Sequence, residues 1–291
     1  MTTLFVGLST LDIHYFADEF PTANVKVKTD EPNLLIGGPA TNAAVAYSFL
    51  GGNPVLMSGV GNSHFRHLFY EDFDRCNITH FDLYPDMDRL PVIASVITSK
   101  NNGDRNIFTH NPSFEDIRIN APSILDNYKP NLLMIDGFYP QVSIPLAKEA
   151  KKRNIPVVFD GGSWKPYLDD LLEFVDFAIC SANFIPPGCA NFQQVFHYLK
   201  AKNITNSAIT RGYESILFCD TIETGEIPVK PINAVDTLGA GDFFHGAFCY
   251  YLLNEKSFKK ALGLASVIAS KTCEFSGTRE WRNKLNKNTF L

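Results

Sequence analysis

Short runs of apolar and β-branched residues recur along the chain, and helical patterns fill the gaps between them. Leu4–Gly7, Val55–Gly59, Leu132–Asp136, Val157–Asp160, Phe177–Cys180, Ser207–Thr210 and Ile216–Cys219 read as strands. Several are apolar throughout, the pattern of central strands covered on both faces. The stretch between Asp136 and Pro156 is helical and ends in Lys151-Lys152-Arg153, cations suited to the negative end of a helix dipole, so it forms a βαβ unit. Phe258, Ala261, Leu262, Ala265, Ile268 and Ala269 recur at helical spacing and form one packed face. Phe243 to Leu253 is apolar almost all round, as in a helix buried between sheet and neighbours. Strands alternating with helices imply an α/β fold, a three-layer, doubly wound and mostly parallel sheet. In such sheets ligands bind at the carboxyl ends of strands.

Residues 13–35 and 90–110 break the alternation and read as extended segments with polar interruptions. Within the second, Asn101-Asn102-Gly103-Asp104 predicts a hairpin turn ahead of Asn106-Ile107-Phe108-Thr109. At 291 residues, 45% hydrophobic and 20% charged, the chain has the composition of an ordinary globular protein with a full core. The net charge of -5 and the lack of a basic cluster beyond residues 151–153 argue against nucleic acid as a partner. Six scattered cysteines without C-x-x-C pairing, no signal-peptide pattern and no membrane-length apolar run lead to the expectation of a cytoplasmic protein.

The most informative segment is Asp236-Thr237-Leu238-Gly239-Ala240-Gly241-Asp242, which opens the apolar helix. Its glycines let the backbone pass close to a ligand, and the helix start aims unpaired N–H groups and a positive dipole end at one spot. That suits a phosphate or a developing phosphoryl charge. Asp242 would repel a bound phosphate, so it reads as a base taking a proton from an attacking hydroxyl. The N–H groups of Gly239, Ala240, Gly241 and Asp242 would form the anion hole. A capped helix with a glycine turn is the plainer alternative. No Lys-Ser/Thr follows the glycines, which excludes a P-loop, and Phe244 replaces the third glycine of a dinucleotide fingerprint.

Residues 236–248 resemble the C-terminal signature of the ribokinase-like (PfkB) carbohydrate kinases. Gly7-Leu8-Ser9-Thr10-Leu11-Asp12, and Gly37-Gly38-Pro39-Ala40-Thr41-Asn42 leading to Leu50-Gly51-Gly52, match that family in order and separation. The resemblance implies a single ribokinase-like domain over 1–291, with about 13–35 and 90–110 forming a small β lid. It implies ATP-dependent, Mg²⁺-assisted phosphorylation of a sugar, with a ketohexose or derivative as first expectation. Sugar recognition falls to Asp12, Gly37, Gly38 and Asn42, although local caps would also account for Asp12 and Asn42. Lys26 and Arg105 in the lid are candidates for an anionic group on the substrate. Thr210, Gly212, Asn183 and Thr237 fall on the nucleotide side; Arg211 is a weaker phosphate candidate. A homodimer through the lid is a further expectation. A nucleoside or vitamin-like alcohol kinase, left open by Tyr15, Phe16 and Phe108, and a non-catalytic sensor are the alternatives.

Three positions depart from the family pattern: Pro186 stands where a glutamate organises water around Mg²⁺, Ser63 where aspartate is usual, and Glu214 where glycine is common. No protein metal site is expected, since the seven histidines show no ligand spacing. His245, inside the apolar helix, reads as a satisfied core residue.

Overall fold

The computed structural model describes residues 1–101, 105–110 and 117–290. Its main sheet has nine strands in the order β13 (Thr224–Ile227), β12 (Glu214–Cys219), β11 (Asn206–Arg211), β10 (Phe177–Ser181), β9 (Val157–Gly161), β8 (Leu132–Ile135), β1 (Thr2–Val6), β4 (Asn53–Ser58) and β5 (Thr79–Asp82). All neighbours are parallel from β11 to β5, and β12 and β13 add on antiparallel.

Strand residues alternate between two cores, as a pleat of period two requires. Phe5, Leu56, Met134, Val158 and Ile179 face a layer containing α1 (Pro39–Phe49), α2 (Arg66–Arg75), α7 (Ala240–Glu255) and α8 (Phe258–Thr272). Leu4, Val55, Leu133, Val157 and Phe159 face α3 (Ala121–Tyr128), α4 (Pro140–Lys152), α5 (Leu168–Leu172) and α6 (Phe192–Ala201). Each fully buried apolar side chain contributes roughly 1.5–3 kcal/mol. A short helix α9 (Glu280–Lys284) carries Trp281, wedged between Phe49 and Phe243 with both ring centroids at 5.0 Å. No helix among the described residues is long and apolar enough to cross a membrane.

The lid is a second sheet in the order β3 (Asn33–Gly37), β2 (Thr10–Ala17), β6 (Val92–Ser99) and β7 (Arg105–Thr109). β2 leaves β1 through Gly7-Leu8-Ser9 and pairs in parallel with β6 along its full length. Residues 18–32, expected to be extended, are irregular and mostly exposed. Pro21 and Pro32 cannot donate to a ladder, and the charged residues between them have no face to bury. β6 and β7 pair antiparallel as the hairpin reading requires, while residues 102–104 of its turn lie outside the described residues.

Candidate active site

Asp242 sits in the first turn of α7, at the carboxyl ends of the central strands. One turn on, a Cβ at Gly246 would lie 2.0 Å from the Ala43 carbonyl oxygen. The bare glycine therefore lets α7 and α1 meet backbone to backbone, which brings Asn42 to Asp242. Asn42 Nδ2 donates to Asp242 Oδ2 at 2.9 Å, closing a sequence separation of 200 residues. Asn42 Oδ1 accepts from Arg279 Nη1 at 2.9 Å. The turn into α7 requires Gly239, whose φ is 77°. The amides of Gly239, Gly241 and Asp242 have no backbone partner among the described residues. Ala240, expected to join them, turns its N–H back to the Thr237 carbonyl at 3.3 Å.

Asp12 lies inside β2. The lid strand continues past Asp12 because Thr10 to Ala17 pair on both sides. Thr10 Oγ1 donates to Asp12 Oδ1 at 2.7 Å, and a Cβ on Gly37 would fall 2.2 Å from Asp12 Oδ2. Gly37 thus leaves the space that the carboxylate occupies. Gly38 caps α1 at φ 98°, and a Cβ there would lie 2.4 Å from the Leu8 carbonyl oxygen. Asn42 is therefore not the helix cap, and its amide is free for the network just described.

Arg105 reaches from β7 to donate to the Thr237 hydroxyl, tying lid to loop. Lys26 does not join the site: it lies exposed in the irregular segment, with no hydrogen bond or ion pair among the described residues. Thr210 and Ser181 are partners at the ends of β11 and β10, and Asn183 follows directly, its N–H bonded to Ser181 Oγ at 3.2 Å. Gly212, at φ 66°, turns β11 into β12. Arg211 is consumed locally, bonded to the Ser215 carbonyl through Nε and Nη2 and paired with Glu214 at 2.8 Å.

Four carboxyls of the cleft are pushed upward by burial. Asp242 rises to about 7 through burial and then the neighbouring Asp160 charge, against the hydrogen bond from Asn42. Asp160, at the end of β9, rises to about 7 through burial, opposed by Lys165. Asp136 rises to about 7 through burial, although the Leu8, Phe138 and Ala40 amides donate to it. Asp12 rises to about 6, again mainly from burial. Lys165 is lowered by burial and held up by Asp136 and Asp160; its ammonium lies 4.4 Å from the Phe138 ring centroid. His245 is buried with its ring nitrogens 2.7 Å from the Gly241 carbonyl and 3.1 Å from that of Ile179. Burial lowers its pKa, so the neutral ring donates to one carbonyl at a time.

Sequence reading missed Asp136, Asp160, Lys165, Asp72 and Arg279. The two strand-end acids were accessible, because ligands meet a parallel sheet at strand ends. Arg279 meets Asn42 across 237 residues and left no local signal. No group of three or more His, Cys, Asp or Glu among the described residues is placed to hold a metal ion.

This arrangement, an activated carboxylate beside unpaired amides under a β lid, is that of a phosphotransferase acting on an alcohol. The family model for pfkB family carbohydrate kinases matches residues 2–284, and the chain belongs to that family. Ribokinase of Lactococcus lactis is 24% identical over 97% of this chain and 94% of its own. The nucleoside kinase of Methanocaldococcus jannaschii is 25% identical over 94% of this chain and 90% of its own. The structure of Arabidopsis thaliana ribokinase complexed with ribose and ATP superposes with a TM-score of 0.80 at 17% identity, covering 99% and 96% of the two chains. The fold is thus ribokinase-like, with the small sheet as its lid. The protein is a kinase of sugars or nucleosides.

Proposed function

We propose that the protein transfers the γ-phosphoryl group of ATP to a sugar hydroxyl, with Asp242 as the general base. The juxtaposition of Asp242 with the unpaired Gly239, Gly241 and Asp242 amides carries this reading. The carboxylate takes the hydroxyl proton as that oxygen attacks, the γ-phosphorus–oxygen bond to ADP breaks, and the amides stabilise charge on the transferring group. Asp12 and the remaining N–H of Asn42 orient the acceptor, and Arg105 adds a cation from the lid. Thr210, Gly212, Asn183 and Thr237 shape the nucleotide side. Magnesium, where the nucleotide brings it, would be held through phosphate oxygens.

The acceptor is a sugar of ribose or ketohexose size. Ribokinase is among the relatives, and ketohexokinase supports the larger member of that pair only as one relative among several. A nucleoside acceptor would call for an aromatic wall beside Asp12. Side chains alternate along β2 and β7, so Tyr15 lies on the face opposite Asp12 and Phe108 on the face opposite Arg105. Only Phe16 shares the side of Asp12. Tyr15, Phe20, Val27, Ile97 and Phe108 instead line a groove on the outer face of the lid, the surface on which a homodimer would form.

Release of ADP from Mg-ATP, measured across pentoses, ketohexoses and nucleosides, tests the reading. Turnover with ribose or a ketohexose is expected. Turnover with nucleosides alone would overturn the acceptor, and sugar binding without turnover would overturn the kinase reading in favour of a sensor.

A further inference from the structure

Arg279 is largely enclosed at the start of α9, its side chain 17% exposed and that of its partner Asp72 14% exposed. Its Nε lies 3.0 and 3.1 Å from the two Asp72 oxygens, and its Nη2 lies 2.8 Å from Oδ2. The remaining arm, Nη1, donates to the Thr278 carbonyl at 2.8 Å and to Asn42 Oδ1 at 2.9 Å. A guanidinium has only donors, so the Asn42 atom facing it is the amide oxygen. The amide nitrogen is then turned to Asp242. An ionised carboxylate has only acceptors, so that orientation is the one in which the contact is a hydrogen bond.

We propose that Arg279, anchored by Asp72, is a positioning residue that locks the Asn42 amide with its N–H group on Asp242. The inference rests on Asp242 being the base. Asn42 then serves the base first and the acceptor second: its oxygen and one N–H are already used, leaving a single N–H for a substrate hydroxyl.

The charges around this axis make the lock consequential. Asp242 faces Asp160 from β9, His245 from its own helix, Arg105 from β7 and Asn42 from α1. Arg279 itself faces Asp72 and Cys76 at α2 and Asp12 from β2. Burial and Asp160 favour the protonated base, and the N–H from Asn42 is the leading influence the other way. Without Arg279 the amide can rotate and present its oxygen to Asp242. That contact is acceptable only when the carboxyl carries its proton.

The test compares Arg279→Met, Arg279→Lys and Asp242→Asn in the full chain, with kcat and kcat/KM followed across the titration of the base. In Arg279→Met the acidic limb of kcat/KM should move up by about one pH unit, with kcat below the limb reduced about tenfold. The KM for Mg-ATP should stay within about twofold, since no nucleotide contact is lost. Lysine keeps the charge but offers a point donor in place of a planar fork, so its limb should fall between wild type and Met. Should Arg279→Met fail to fold, the Lys variant decides alone: a raised limb supports the proposal and a wild-type limb overturns it. A folded Met variant with the limb unmoved also overturns it. If Asp242→Asn retains turnover, the base assignment itself fails; loss there with unmoved limbs sinks only the lock.

Discussion

The proposed acceptor half and the proposed nucleotide half of the cleft are built differently. On the acceptor side Asp242, Asn42, Arg279 and Asp72 form one continuous chain of hydrogen bonds, drawn from α7, α1, the start of α9 and α2. On the proposed nucleotide side Asn183, Thr210 and Gly212 stand on neighbouring strand ends, and Arg211, adjacent in sequence, is spent on its own hairpin. One half is pre-organised by interior contacts, and the other is a set of turns that a ligand must complete. With Asp242 as the proposed base, pre-organisation falls where the proton would move, and a misplaced base costs rate directly.

Asp242→Asn should have the largest effect, reducing kcat by roughly a hundred- to ten-thousand-fold with little change in ATP affinity. Steady-state kinetics with direct nucleotide titration would check both parts. Trp281→Ala breaks the same half mainly through packing, with the loss of the indole N–H bond to the Thr278 carbonyl beside it. Removing a ring held between Phe49 and Phe243 should cost about 3–5 kcal/mol in urea unfolding.

Asp160→Asn sharpens the comparison electrostatically. Its carboxyl is raised to about 7 in the fold, against roughly 4 in an unfolded chain. The folded state therefore holds the proton more tightly, and stability present at low pH is lost as pH rises from about 4 to about 7. The Asn variant removes that penalty, so its unfolding free energy should gain on wild type across this window, by on the order of 1–4 kcal/mol at neutral pH. Its kcat/KM limb should move to lower pH, since one charge opposing Asp242 is gone. Arg211→Ala should do least: the KM for ATP should stay within about twofold, because this arginine is bound to Ser215 and Glu214.

Much of the fold was legible because buried parallel strands announce themselves as apolar runs; each of the seven strand assignments falls on a strand of the main sheet. The turn before Asp242 was legible because glycine at a left-handed position ahead of an apolar helix is a local pattern. The strand that carries Asp12 was not legible, because β2 owes its extent to pairing with β3 and β6 rather than to its own composition. Lys26 was placed in the lid by position alone, and none of the described residues binds it there. Arg279 was invisible for the opposite reason, since all of its meaning comes from partners at Asn42 and Asp72.

The close approach of α1 and α7 has a consequence for how the molecule comes to life. The groups that meet at Asp242 are separated by 200 residues along the chain, and contacts of such span are the slowest to nucleate. Individual βα units can gather early, yet no fragment lacking either end of that span contains a working centre. Turnover is therefore acquired late in folding, and its return after denaturation reports completion of the whole molecule rather than recovery of secondary structure.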